Sequence, residues 1–457
     1  MKFKKVKQIH FVGIGGAGMC GLAEVLFNSG YQVTGSDISL GEVTEKLKSL
    51  GIKVFGGHSK ENIEGADVVV ISSAVKPSNV EVTYALEKSI PVIRRAEMLG
   101  ELMRMKYGIA IAGTHGKTTT TSMVGQILTE GGLDPTIIVG GKVVNLDSSA
   151  KLGQGEYLVA EADEFDRSFL RLSPMIAVIT TLEAEHLDCY QTLDQLKSAF
   201  VEFANKVPFY GRLILCLDEE SLQNLIPKLK GPITTYGLMP QADMQAENIK
   251  LSENRSRFTV KYKGEELGNI ELAVPGMHNA KNSLAAASVG LELDIPWEKI
   301  TLALRQFRGV KRRFEIKGES KGIMIVDDYA HHPTEIEATL KAAKNGWNRR
   351  IVVVFQPHLY SRTKDFAEQF GKAFFNCDIL VVTDIYAARE EPMPGVSGEL
   401  VSQAAKRYGH KQVHYKPKSE EILPFLLDTL KPGDMLITMG AGDIYQKAEQ
   451  LLNLLQK

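Results

Sequence analysis

Short apolar runs closed by glycine, serine or an acid recur along this chain, and stretches with apolar residues three and four apart separate them. Gln8-Ile9-His10-Phe11-Val12 is one such run, followed by a glycine-rich turn and the helical spacing Leu22-Ala23-Val25-Leu26. Residues 31–34 and 67–72 read as further strands, and 94–105 as a joining helix. A second block opens with Tyr107-Gly108-Ile109-Ala110-Ile111-Ala112 and the helical pattern Met123-Val124-Ile127-Leu128. It continues through strands at 157–160 and 176–180. From 231 to 274 the pattern becomes shorter and more polar, as expected of antiparallel strands added to a parallel sheet. A third block has strands at 323–326, 351–355, 379–382 and 435–438. Strands alternating with helices predict parallel sheets covered by helices on both faces. The expected fold class is therefore α/β in three domains. These are a Rossmann-like domain (1–106), a central P-loop ATPase-type parallel sheet with added antiparallel strands (107–312), and a Rossmann-like C-terminal domain (313–457).

Composition narrows the function classes. Hydrophobic residues make up 44% of the chain and charged residues 24%, with a net charge of −1. That balance lacks the basic excess needed to bind phosphate backbones, so no nucleic-acid partner is expected. No stretch approaches the ~18 uninterrupted apolar residues of a membrane span. Lys2, Lys4, Lys5 and Lys7 precede an apolar segment, but Gly13, Gly15, Gly16, Gly18 and Glu24 interrupt it, unlike an export signal. Cys20, Cys189, Cys216 and Cys377 are far apart with no CxxC pair, which fits reduced thiols in a cytoplasmic protein.

The chemistry is concentrated at strand ends. Gly113-Thr114-His115-Gly116-Lys117-Thr118-Thr119 follows an apolar strand and opens a helix. Such a loop turns backbone N–H groups toward phosphate oxygens at the positive end of the helix dipole. Lys117, expected to be solvated in the absence of nucleotide, would reach the β/γ-phosphates, and the Thr118 hydroxyl would ligate Mg²⁺. Ile111 stands where the usual P-loop has its first glycine. Gly13-Ile14-Gly15-Gly16-Ala17-Gly18 fits GxGxxG, with Asp37 ending the next strand as a ligand for ribose hydroxyls. Any nucleotide diphosphate suits that pattern.

Glu161-Ala162-Asp163-Glu164-Phe165-Asp166 crowds four acids at one strand end, which favours a cation there, and His186 could supply a second metal ligand. Asn279 and Asn282 lie three apart and could share a helix face that reads a base edge, or serve as caps. Arg312-Arg313 could place a guanidinium on a γ-phosphate. The segments Asp327 to Pro333 and Gln356 to Thr363 each follow a buried strand, where ligands bind in open α/β sheets.

Taken together, GIGGAGM, Ser72-Ser73-Ala74, GTHGKTTT, EADExD, HxD, HNxxN, DDYxHHP, FQPHxYSRT, DIYAARE and Met439-Gly440-Ala441-Gly442-Asp443 closely resemble the Mur ligases of peptidoglycan synthesis. The resemblance covers essentially the whole chain. It implies that the first domain binds the UDP of UDP-N-acetylmuramate through Gly15, Gly16, Gly18, Ser36, Asp37, Ser72 and Ser73. The central domain would bind ATP, with Thr118 and Glu161 on one Mg²⁺ and His186 on a second. Asn279 and Asn282 would meet the adenine, Asp328 the ribose and Arg313 the phosphates, while Tyr329 and His331 would form an L-alanine pocket. Lys117, His186, Arg313 and His331 are the implied catalytic set. Ala330 stands where the family often has Gly, and Glu183-Ala184-Glu185 precede His186 where it often has Pro-Asp. An NAD-linked oxidoreductase would leave the P-loop and the acidic run unexplained, and a P-loop switch would hydrolyse ATP without any amino acid.

Overall fold

The computed structural model describes residues 3, 5–143, 148–183, 187–190, 192–388 and 390–456. Their strands form three sheets. The first contains β1 (Gln8–Val12), β2 (Gln32–Asp37), β3 (Lys53–Gly56), β4 (Val68–Ile71) and β5 (Val92–Arg94), all parallel, in the order β3-β2-β1-β4-β5. Strand order reverses at β1, which opens a crevice at the strands' C-terminal ends. The helix Ala17–Asn28 starts directly behind the glycine turn with no acid in its first turn, so nothing in that turn offsets its positive end.

The second sheet contains β6 (Tyr107–Ala112), β7 (Thr136–Val143), β8 (Ser148–Lys151), β9 (Tyr157–Glu161), β10 (Ile176–Ile179), β11 (Arg212–Cys216), β12 (Ile233–Gly237), β13 (Met244–Ser252), β14 (Arg255–Tyr262) and β15 (Glu265–Leu272). Its order is β15-β14-β13-β12-β11-β10-β6-β9-β7-β8. β6 lies between β9 and β10, parallel to both, while β8 closes the far edge antiparallel to β7. β13, β14 and β15 follow one another as hairpin strands, the more polar addition expected from the sequence. The β7–β8 edge leans on the helix Ala17–Asn28. The Ser148 hydroxyl sits 3.2 Å from Glu24 and 3.0 Å from Lys46. Gly21 comes so near that a Cβ there would lie 3.2 Å from the Ala150 Cβ.

The third sheet contains β16 (Glu315–Ser320), β17 (Ile323–Asp328), β18 (Arg350–Phe355), β19 (Ile379–Val382), β20 (Val413–Tyr415) and β21 (Asp434–Met439), in the order β16-β17-β21-β18-β19-β20. Only β16 runs antiparallel. Alternate residues of β18 enter opposite cores: Ile351, Val353 and Phe355 pack with Leu340 and Phe370, and Val352 and Val354 with Leu426 and Leu451. Each such side chain contributes about 1.5–3 kcal/mol by burial, which is why the run reads as uniformly apolar. The chain divides into two compact units. One takes Met1–Asn248, Phe258–Ile270 and Lys281–Phe307; the other takes Ile249–Arg257, Glu271–Ala280 and Arg308–Lys457. Among the described residues no helix is long and apolar enough to cross a membrane.

Candidate active site

Between β6 and the helix Lys117–Glu130 the chain turns through Gly113 (φ 128°) and Gly116 (φ 82°). Both positions need glycine for conformation and for space. A Cβ at Gly113 would lie 2.2 Å from Thr180 Oγ1, and one at Gly116 2.7 Å from Asn282 Oδ1. The segment after β10 grips this loop. Thr114 N donates to Thr181 O (3.1 Å), His115 N to Thr181 Oγ1 (2.9 Å) and Glu183 N to Thr114 Oγ1 (2.9 Å). His115 Nε2 lies 3.4 Å from Glu183 Oε2. Thr118 and Thr119, both half-buried, open a helix with no acid in its first turn, so its N–H groups present a site for anions.

Lys117 is not the solvated side chain expected from the sequence. Its ammonium donates to both oxygens of Glu164 (3.0 and 2.8 Å) and to Gly113 O (2.6 Å), and Glu164 is 1% exposed. The acidic run is likewise not one crowded cluster. Glu161 accepts from Gly140 N (2.7 Å), Asp163 from Phe165 N (3.2 Å), Glu164 holds Lys117, and Asp166 faces Arg94 at 3.8 Å. Repulsion is relieved because each carboxylate finds its own donor.

Glu161 ends β9 beside the Thr118 hydroxyl, to which it is hydrogen-bonded. Burial raises its pKa, and the bonds from Gly140 and Thr118 with the charge of Lys117 offset part of that rise. A threonine hydroxyl and a partly desolvated carboxylate side by side are hard oxygen donors, a set that suits Mg²⁺. His186, read as a second metal ligand and as catalytic, lies outside the described residues.

At the glycine turn of the first sheet, Asp37 Oδ2 accepts from Gly15 N (2.8 Å) and Oδ1 from Ser39 N (3.0 Å). Gly16 caps the helix that follows. Arg95, which the sequence suggested only as part of a joining helix, lies against Gly18, where a Cβ would come within 2.9 Å of its Nη1. This places a guanidinium at a helix N-terminus. Two adjacent arginines opening a helix were the available signal.

Ser36 faces inward. Its hydroxyl donates to Glu81 (2.5 Å), a fully buried carboxylate that also takes Asn62 Nδ2 (2.6 Å) and lies 3.2 Å from His58 Nδ1 and 3.6 Å from His10 Nε2. Burial alone would raise the Glu81 pKa, but the nearby His10 imidazole and the hydrogen bonds from Ser36 and Asn62 hold it at about 2. The Ser36 side chain thus supports the end of β2 from below. Ser72 Oγ accepts from Ala74 N (3.2 Å), and Ser73 lines a cavity of about 510 Å³ with Arg95, Arg167, Ser168 and Arg171.

In the second unit, β17 and β21 end in register, Asp328 opposite Met439. Asp328 accepts from Ala330 N (2.7 Å), Phe314 N (2.8 Å) and Thr339 Oγ1 (3.1 Å). Burial raises its pKa to about 6 against the opposing pull of Arg313 and these N–H groups. Arg313 donates to Glu335 (3.1 Å), and the Tyr329 ring lies 5.2 Å from the guanidinium carbons of both Arg312 and Arg313. Tyr329 and His331 meet edge to face at 5.2 Å, and His331 meets His358 at 5.8 Å. His358 stacks on Tyr386 at 6.0 Å, and Arg362 Nη1 lies 3.1 Å from His358 Nδ1. His358, Arg362 and Tyr386 thus join Tyr329 and His331, a grouping that only their placement after buried strands foreshadowed. Asn279 donates to Pro275 O (2.7 Å).

A glycine turn at a helix N-terminus on one sheet and a P-loop-like turn on the next give two loops suited to phosphate, the arrangement of a nucleotide-dependent enzyme. Residues 8–107 match the Mur ligase family, catalytic domain; 111–290 the Mur ligase middle domain; and 312–442 the Mur ligase, glutamate ligase domain. The chain belongs to the Mur ligase family. It is 54% identical over 454 residues to the UDP-N-acetylmuramate–L-alanine ligase of Geotalea uraniireducens, covering 99% of each chain. It is 51% identical to that of Salinibacter ruber, covering 99% of this chain and 96% of the other. The crystal structure of the UDP-N-acetylmuramate–alanine ligase of Thermotoga maritima superposes with a TM-score of 0.83 at 31% identity, over 98% of this chain and 99% of that one.

Proposed function

We propose that this protein joins L-alanine to the lactyl carboxylate of UDP-N-acetylmuramate at the expense of ATP, as a cytoplasmic step of peptidoglycan synthesis. The observation that carries this reading is the pair of phosphate-binding loops in one compact unit, Gly13–Gly18 for the sugar nucleotide and Gly113–Thr119 for ATP. The proposed domain boundaries are 106/107 and 312/313.

A carboxylate and an amine do not condense in water, so the acid is first activated. The lactyl carboxylate attacks the γ-phosphorus, the bond to ADP breaks, and an acyl phosphate forms. The neutral amine of L-alanine attacks that carbonyl carbon, sheds a proton and expels phosphate, leaving an amide. Two anions meet in the first step, so preorganised positive charge is the main requirement. Lys117 and the N–H groups of the helix Lys117–Glu130 supply it, and Arg313 is proposed to add to it. Thr118 and Glu161 would hold Mg²⁺, which when bound supplies charge neutralisation to the phosphates, and His186 is assigned to a second ion. Asn279, Asn282 and Asp328 are proposed for the nucleoside and Tyr329 and His331 for L-alanine. The ribose role of Asp328 requires an oxygen that now accepts backbone or threonine donors.

The test is interception. With ATP, Mg²⁺ and UDP-N-acetylmuramate but no amino acid, hydroxylamine should yield the UDP-N-acetylmuramyl hydroxamate. ¹⁸O placed in the lactyl carboxylate should appear in released phosphate. Amide product accompanied by unlabelled phosphate would rule the acyl phosphate out.

A further inference from the structure

The contact between Lys117 and Glu164 reaches beyond the P-loop pattern. Glu164 lies after β9, and its carboxylate is 1% exposed. Its backbone is fixed from two sides. The fully buried Tyr190 donates its hydroxyl to Glu164 O (2.5 Å), and Arg167 N donates to the same carbonyl (3.0 Å). The two residues before Ser168, Asp166 (φ 51°) and Arg167 (φ 61°), adopt left-handed backbone that non-glycine residues rarely hold. The chain thus accepts local strain while delivering Glu164 to the lysine of the phosphate loop.

We infer that Glu164 is a positioning residue for phosphoryl transfer: the carboxylate that fixes the Lys117 ammonium at the mouth of the Gly113–Thr119 loop. This rests on the reading of that loop as the ATP site. A lysine carries a flexible stem with much rotamer freedom to lose. An ammonium held by a buried carboxylate and by Gly113 O has already lost most of that freedom before phosphate arrives, so meeting the γ-phosphate requires only the exchange of one acceptor. Glu164 also cancels the charge of Lys117 as seen from a distance. The pair therefore adds little to the ground-state attraction for a nucleoside triphosphate, and its effect falls on turnover.

That distinction is measurable. ADP formation is followed in wild type, Glu164→Gln, Glu164→Asp, Lys117→Ala and the Lys117→Ala/Glu164→Gln double variant, with UDP-N-acetylmuramate, L-alanine and Mg²⁺ saturating. Glu164→Gln should lower kcat about tenfold or more while KM for ATP stays level, the pattern of a lost transition-state interaction. Glu164→Asp, which keeps the charge one methylene short, should recover part of the rate. On the Lys117→Ala background the glutamine substitution should cost nothing further, because its effect runs through the lysine. Circular dichroism and melting curves confirm which variants are folded, and Glu164→Asp with the double variant keeps the test open if Glu164→Gln folds poorly. A kcat for Glu164→Gln within twofold of wild type would overturn the role. So would a loss carried entirely by KM for ATP, or one that persists without Lys117. A wild-type enzyme that forms no ADP under any of these conditions would sink the ATP reading itself, a result separate from any difference among variants.

Discussion

The Asp37 carboxylate accepts the Gly15 N–H at 2.8 Å, so the end of β2 holds the glycine turn that follows β1. An acid at this place in a dinucleotide fold binds ribose hydroxyls, and here it also shapes the glycine turn proposed to receive the diphosphate. Asp37→Ala should raise KM for UDP-N-acetylmuramate about tenfold or more, equivalent to ~1.4 kcal/mol, with KM for ATP unchanged. Calorimetric titration with UDP alone should show the same loss. Equal UDP affinity in variant and wild type would remove Asp37 from the site.

Lys117→Ala should reduce kcat by a factor on the order of 10² to 10³, the scale for one preorganised charge donor. It should also destabilise the protein, by about 3 kcal/mol, since a buried Glu164 would lose its counter-ion. Adding Glu164→Gln should restore much of the melting temperature without restoring the rate. An unshifted melting curve for Lys117→Ala would show that the buried carboxylate finds another partner.

Glu161→Gln should raise the Mg²⁺ concentration for half-maximal rate, because the amide keeps a bond to Gly140 N but gives up the charge that holds a hard cation. Superimposable Mg²⁺ titrations for variant and wild type would place the ion elsewhere.

Glu81 sets a stability that depends on pH. Its folded pKa of about 2 lies below the ordinary value of 4.5. The contribution is therefore complete above pH 4.5 and is lost as pH falls toward 2, amounting to about 3 kcal/mol. Glu81→Gln should melt several degrees below wild type at pH 7, with the gap closing progressively as pH falls from 4.5 toward 2. A gap independent of pH would mean that packing, rather than charge, is what the substitution removes.

Strands were legible wherever an apolar run met glycine or an acid, as at β6 and β9, because parallel strands buried on both faces leave no polar positions inside the run. The two glycine turns were legible for a related reason: their glycines answer to local backbone geometry. What could not be read were contacts set by the tertiary fold. Glu164 meets Lys117 across 47 residues and Ser36 meets Glu81 across 45. Nothing in the local spacing of EADEFD tells which acid faces a cation and which a backbone N–H. Arg95 looked like an ordinary helix residue because its neighbour, Gly18, belongs to another element.

The Ser148 hydroxyl between Glu24 and Lys46, with Gly21 pressed against Ala150, fastens the edge of the second sheet to the helix behind the first glycine turn. On the roles proposed for its two loops, the first unit would work as a gauge. With one loop seated on the diphosphate and the other on ATP, the distance between them is set by packed protein rather than by the ligand. A sugar nucleotide whose acid hangs from a shorter or longer arm would seat its diphosphate normally and still present its carboxylate off target. On those roles, discrimination by reach would be built into the scaffold before any side chain touches the acid.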